Sequence, residues 1–233
     1  MTPPAPEGFS RLHPLVQHHI VNSLGWPGLR PLQEQSVLPL TRGDDALLLA
    51  PTAGGKTEAA IFPVLTRMAT GDWPGLSVLY VTPLKALLNN LAERLSDYTG
   101  WVGRRVEVWH GDVDESARRA IRNDPPDILL TTPESIEAIL ASTKTDHRVF
   151  FADLRIVVMD EVHAFAGDDR GWHLSALLSR LEHLVGRPLQ RIGMSATVGN
   201  PGELLHWLQG GVDGRAGRVI APGVEAPGVD NRP

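Results

Sequence analysis

Short apolar runs alternate along this 233-residue chain with longer stretches in which leucines recur every three or four positions. The runs lie at 46–50, 77–81, 105–109, 127–131, 155–159, 190–194 and, more briefly, 218–220. Most are β-branched or leucine-rich rather than alternating, the signature of strands covered on both faces. The intervening stretches read as helices. Leu84, Leu87, Leu88, Leu91 and Leu95 fall on one helical face, and Leu174, Leu177, Leu178, Leu181, Leu184 and Val185 form a second stripe. Both stripes are expected to be core. Strand and helix repeated in this order predict an α/β fold, a mostly parallel sheet of about seven strands with helices on both faces. Ligands of such sheets gather at the carboxyl ends of the strands.

The ends of the chain break the pattern. Residues 1–8 (MTPPAPEG) and 221–233 (APGVEAPGVDNRP) are rich in proline and glycine and poor in large apolar side chains, so both are expected to be disordered tails or linkers around a domain at 9–220. The longest apolar runs fall far short of the ~20 residues of a membrane span, and the start lacks a basic-then-apolar signal sequence, so a cytoplasmic protein is expected. Zero cysteines exclude disulfides and thiolate metal sites. A net charge of −5 removes any global basic field, so nucleic acid would have to be held by local patches and backbone groups.

The candidate chemistry sits at the predicted strand ends. Residues 50–57, APTAGGKT, follow an apolar strand and precede good helix formers, the context in which N–H groups converge on a phosphate. The strict phosphate-loop pattern has glycine where Ala50 stands. In such a loop Gly55 permits close backbone approach, Lys56 contacts the outer phosphates and the Thr57 hydroxyl ligates Mg²⁺. A second strand runs into Asp160-Glu161-Val162-His163. Two adjacent carboxylates repel one another unless a cation offsets them. Mg²⁺ held by Asp160, with Glu161 polarising a water, is the chemistry this pair suits.

Together the loop and DEVH resemble the first RecA-like domain of superfamily 2 helicases of the DEAD/DEAH type, and most closely the large helicase-related (Lhr) branch. The likeness runs from about Leu29 to Ile220, with the motifs in family order. The resemblance implies ATP and Mg²⁺ as ligands, with Gln33 reading adenine and Thr52, Ala53, Gly54, Gly55, Lys56 and Thr57 around the phosphates. It implies Lys56, Asp160 and Glu161 as the catalytic set and Thr57 and Asp160 as the Mg²⁺ ligands. Relatives commonly show APTGSGKT, so Ala53 followed by Gly54 is a departure, in which Gly54 restores freedom that Ala53 removes.

TPLKAL at 82–87, the turn His110-Gly111-Asp112 and TTPES at 131–135 resemble the motifs that grip a nucleic-acid strand. This implies contacts from Thr82, Pro83, Lys85, Gly111, Thr132, Pro133 and Glu134, and from Arg170 on a later segment. Plain helix capping accounts for the Thr-Pro pairs equally well. Arg104, Arg105, Arg118, Arg119 and Arg122 are interleaved with acids and read as a mixed-charge face. Ser195-Ala196-Thr197 resembles the motif that couples nucleotide state to domain movement, so Ser195, Thr197 and His163 are expected to couple.

The resemblance also implies partners: single-stranded DNA or RNA, and a second RecA-like domain in the same longer protein or in another chain. The motifs of that second domain do not occur in these 233 residues. An ATPase motor domain is therefore expected to be weakly active by itself; the alternative is a non-catalytic ATP- or nucleic-acid-binding module.

Overall fold

A computed structural model of the chain describes residues 7–51, 54–166, 169–196, 198–212 and 214–223. Within these the helices and strands run α1 (Glu7–Arg11), α2 (Pro14–Asn22), α3 (Pro31–Arg42), β1 (Asp45–Leu49), α4 (Lys56–Thr70), β2 (Val78–Val81), α5 (Leu88–Gly100), β3 (Val106–Trp109), α6 (Glu115–Asn123) and β4 (Ile128–Thr131). They continue with α7 (Pro133–Ala141), α8 (His147–Phe150), β5 (Ile156–Met159), α9 (Asp169–Val185), β6 (Gln190–Ser195), α10 (Pro201–Leu208) and β7 (Gly217–Ile220). The seven strands form one sheet in the order β3-β4-β2-β5-β6-β1-β7. Every residue of β1, β2, β4, β5 and β6 is buried, as the apolar sequences of β2, β4 and β5 require, while β1 and β6 also bury Asp45, Gln190, Arg191 and Ser195.

The chain divides into two compact units, one of residues up to Asp72 with those from Ile192 onward, the other Trp73–Arg191. In the first, β1 pairs in parallel with β6 (Leu49 opposite Ser195) and with β7 (Leu48 opposite Ile220). Helices α3 and α4 pack together beside β1. Helix α4 carries Pro63 in its interior, which cannot donate to the carbonyl of Ala59 four residues back. Ser36 of α3 takes over that role, its hydroxyl lying 2.7 Å from Ala59 O. The buried Asp45 carboxylate receives the Arg215 guanidinium at 2.8 Å and the Gln209 amide at 3.2 Å, fastening the segment that leads into β7.

In the second unit, β2 pairs in parallel with β4 and β5, and β4 with β3. The register sets Trp109 opposite Thr131, Thr131 opposite Val81 and Val81 opposite Met159. The residues after these four therefore leave the sheet along one edge, at its carboxyl ends.

Two expectations are corrected. Leu84 and Leu87 are not core: they are 54% and 45% exposed, because Leu84 is extended and residues 85–87 form a 3₁₀ turn before α5 begins. Only Leu88, Leu91 and Leu95 of that stripe are buried. Glu7 and Gly8 belong to α1 rather than to a tail, for the Glu34 carboxylate of α3 accepts from the N–H groups of Gly8 and Phe9. Residues 1–6 and 224–233 of the expected tails lie outside the described residues.

Candidate nucleotide and nucleic-acid sites

The first unit gathers the predicted nucleotide residues around the start of α4. Gly55 caps the helix in the left-handed region, φ 73° and ψ 30°, and a side chain there would meet the Gln33 amide. At Gly54 a Cβ would lie 2.5 Å from the Ala50 Cβ and 2.9 Å from Pro51 O, so this backbone has no room for one. Lys56, only 7% exposed, donates to the carbonyls of Ala50 at 2.8 Å and Pro51 at 3.2 Å. Its ammonium thus stands over the mouth of the loop with no carboxylate among these partners. Thr57 follows in the first helical turn.

A fifteen-residue helix opening on two glycines and a lysine suits an anion: the positive end of the helix dipole and a cation coincide, although the Gly54 N–H already donates to Pro51 O at 2.8 Å. A triphosphate fits that donor set. Gln33 is buried, its Oε1 accepting from Arg30 N–H at 2.9 Å and its Nε2 donating to Gly55 O at 3.4 Å. The same amide that starts α3 therefore holds the loop. Ser195 ends β6 fully buried, its carbonyl accepting from Ala50 N–H at 3.3 Å. Thr52, Ala53 and Thr197 lie outside the described residues.

In the second unit Asp160 leaves β5 with its N–H on Val81 O at 2.8 Å. The Tyr80 hydroxyl donates to Asp160 Oδ2 at 2.9 Å, and Glu161 N–H donates to Oδ1 at 3.0 Å. Glu161 adopts φ 48° and ψ 47°, the only positive φ among the described non-glycine residues. Such a conformation for a glutamate costs about 1–2 kcal/mol and points to a positional demand on this side chain. His163 Nδ1 lies 3.4 Å from Glu161 Oε2. No group of three or more His, Asp or Glu among the described residues could hold a metal ion unaided. Mg²⁺ does not need one, since it keeps waters and shares phosphate oxygens with one or two carboxylates. Tyr80 was not singled out from sequence, although a tyrosine in an aliphatic strand calls for a polar partner.

Further along the same edge, the segments after β2, β3 and β4 line a pocket of about 580 Å³. Pro83 and Lys85 come from the first, His110, Gly111 and Arg118 from the second, Thr132, Glu134 and Ser135 from the third. Thr82 is buried and accepts from Leu84 N–H at 3.4 Å, so its hydroxyl shapes the turn, and Pro133 is buried as the first residue of α7. The Thr132 and Ser135 hydroxyls share a hydrogen bond of 3.2 Å. Arg118 donates to the carbonyls of His110 and Gly111. Arg170 reaches Pro83 O at 3.4 Å and Glu134 at 3.5 Å, and sits 5.8 Å from the Phe165 ring centre. Lys85 pairs with Asp112 at 2.6 Å, and the ammonium holds that carboxyl below its usual range. Arg104, Arg105 and Arg122 pair with Asp127, Asp124 and Glu115, the mixed-charge face the sequence suggested.

A sequence profile of the DEAD/DEAH box helicase family matches residues 30–204. The chain is 36% identical over 225 residues to the Lhr helicase/probable uracil glycosylase of Mycolicibacterium smegmatis, covering 90% of this chain and 15% of that protein. It is 37% identical over 208 residues to the ATP-dependent helicase Lhr-Core of Methanothermobacter thermautotrophicus, covering 82% and 24%. Among solved structures it resembles the Mycobacterium smegmatis helicase Lhr bound to ssDNA and AMP-PNP, with a TM-score of 0.82 and 33% identity over 92% of this chain and 28% of that one. The fold is shared with the DEAD-box helicase Mss116 bound to ssRNA, with a TM-score of 0.77 and 18% identity over 92% of this chain and 44% of that one. The chain thus spans a quarter or less of the length of these two curated relatives.

Proposed function

Because this chain belongs to the DEAD/DEAH box helicase family, and within it to the Lhr helicases, we propose that it is the ATP-binding domain of a motor that couples ATP hydrolysis to movement along single-stranded nucleic acid. The observation that carries this reading is the loop at the start of α4: Gly54 without room for a Cβ, Gly55 left-handed and a buried Lys56 ammonium at a helix N-terminus. Gly54, Gly55, Lys56 and Thr57, with the N–H groups of Thr52 and Ala53, hold the phosphates, and Gln33 recognises adenine. Thr57 and Asp160 would hold Mg²⁺, which would supply positive charge against the phosphate oxygens. Glu161 orients the attacking water and accepts its proton. Tyr80, hydrogen-bonded to Asp160, fixes the rotamer of that carboxylate.

The strand runs over the pocket lined by Pro83, Lys85, Gly111 and Thr132, with Arg170 beside it; that the similar Lhr helicase binds ssDNA supports a single strand as the ligand. Ser195, Thr197 and His163 transmit the nucleotide state. Arginine fingers in this family lie on a second RecA-like domain, in a longer protein or a partner chain. They contribute ~10³ to 10⁵ in rate in phosphoryl transfer, so the 233-residue chain alone hydrolyses ATP slowly. We place the motor in the cytoplasm; no described helix is long and apolar enough to cross a membrane.

The test is ATP turnover with and without single-stranded DNA or RNA, for the wild type and Glu161→Gln. Slow turnover that nucleic acid stimulates and Glu161→Gln abolishes is expected. Turnover indifferent to both changes sinks the motor reading.

A further inference from the structure

The pocket that is to receive strand phosphates already holds carboxylates against its cations. Lys85 Nζ lies 2.6 Å from Asp112 Oδ2, and Arg170 lies 3.5 Å from Glu134. The Asp112 contact is built rather than incidental, because the turn that presents it is fixed at several points. Val113 N–H donates to His110 O, Asp112 N–H donates to His110 Nδ1, and Arg118 donates to the carbonyls of His110 and Gly111. Yet Lys85 and Asp112 are 60% and 65% exposed, so the pair is readily exchanged, as exposed ion pairs are. A fixed acid in an exchangeable pair is suited to displacement by a competing anion.

We propose that Asp112 is a specificity-determining residue of this site: its carboxylate occupies the Lys85 ammonium until a backbone phosphate of single-stranded nucleic acid displaces it. A lone phosphate must outcompete a tethered carboxylate and gains little. A strand that also engages the donors at Thr132 and Gly111 brings its phosphate to Lys85 at high local concentration and wins. The competition costs every anion that takes Lys85 the same free energy, so a weak lone anion is left unbound while a strand held by further contacts still binds. The inference rests on reading the pocket as a nucleic-acid site.

Fluorescence anisotropy of labelled oligothymidylate and oligouridylate with the 233-residue chain at low salt tests it. Asp112→Asn should tighten binding about fivefold, the scale of one exposed ion pair, while the slope of log K against log salt stays near that of the wild type, since Lys85 meets the same phosphate in both. Asp114→Asn removes a neighbouring exposed charge while keeping an oxygen that can cap α6 through Ala117 N–H, and should change affinity less than about twofold. In a Lys85→Gln background the gain from Asp112→Asn should vanish, because coupled residues are not additive. An equal gain from Asp114→Asn, or a gain that survives Lys85→Gln, would reduce the effect to net charge and overturn the proposal. If Lys85→Gln weakens binding but Asp112→Asn leaves it unchanged, the nucleic-acid reading stands and the role of Asp112 is lost. If no variant binds either oligonucleotide, both fall.

Discussion

A tight contact in this phosphate loop lies between Gly54 and Ala50. The strict pattern places glycine at position 50, and here Ala50 takes that place while its Cβ closes the space beside Gly54. Gly54→Ser should therefore lower Mg·ATP affinity at least about tenfold, ~1.4 kcal/mol, and adding Ala53→Gly, which restores the spelling common among relatives, should recover the loss. Titration with a fluorescent ATP analogue checks both, and full affinity in the single variant would contradict the steric account. At Asp160 the decisive neighbour is Tyr80, whose hydroxyl bond contributes about 1 kcal/mol by the usual measure of a hydrogen bond. Tyr80→Phe keeps the buried ring and should lower the thermal unfolding midpoint by only about 2–4 °C, the scale of ~1 kcal/mol in a chain of this length. The same variant should raise severalfold the Mg²⁺ concentration needed for half-maximal ATP binding; an unchanged Mg²⁺ requirement would remove Tyr80 from the site.

Between elements, the Ser36 hydroxyl on α3 compensates for the N–H that Pro63 lacks in α4. Ser36→Ala leaves the Ala59 carbonyl without that donor and should cost about 1–3 kcal/mol of stability, the penalty for a buried unsatisfied group, read by urea unfolding. A loss below ~0.5 kcal/mol would mean that water or a shift of α4 satisfies the carbonyl. Most elements were legible in the sequence: each of the seven strands falls within a residue of its apolar run, because buried parallel strands need continuous apolar side chains. The leucine stripe at 84–95 misled because helical spacing does not reveal where a helix starts. The chain stays extended at Leu84 and makes a tight turn before α5, which leaves Leu84 and Leu87 exposed. Of the site, the phosphate loop, the DEVH carboxylates and the motif order were legible because each lies on contiguous residues. The partnerships of Tyr80 with Asp160 and Lys85 with Asp112 were not, since they join residues that only the strand register brings together.

Across the whole molecule, a net charge of −5 and a pocket with few cations predict modest, local nucleic-acid binding. With Lys85 and Arg170 as the phosphate contacts, log K against log salt should have a slope no steeper than about −1.4, at ~0.7 per single-strand phosphate. A much steeper slope would indicate a wider basic surface than the pocket supplies. The chain covers a small share of its relatives' length, so the activity of any longer protein follows only after this domain is shown to hold nucleotide. That claim is tested most directly by titrating a fluorescent ATP analogue, with and without Mg²⁺, into the wild type and Lys56→Ala, with thermal melting to establish that both are folded. The account predicts Mg²⁺-dependent binding by the wild type and at least a ~tenfold loss in Lys56→Ala, the scale of one charge-assisted phosphate contact. Equal binding by the two folded proteins, or none by the wild type, would contradict it.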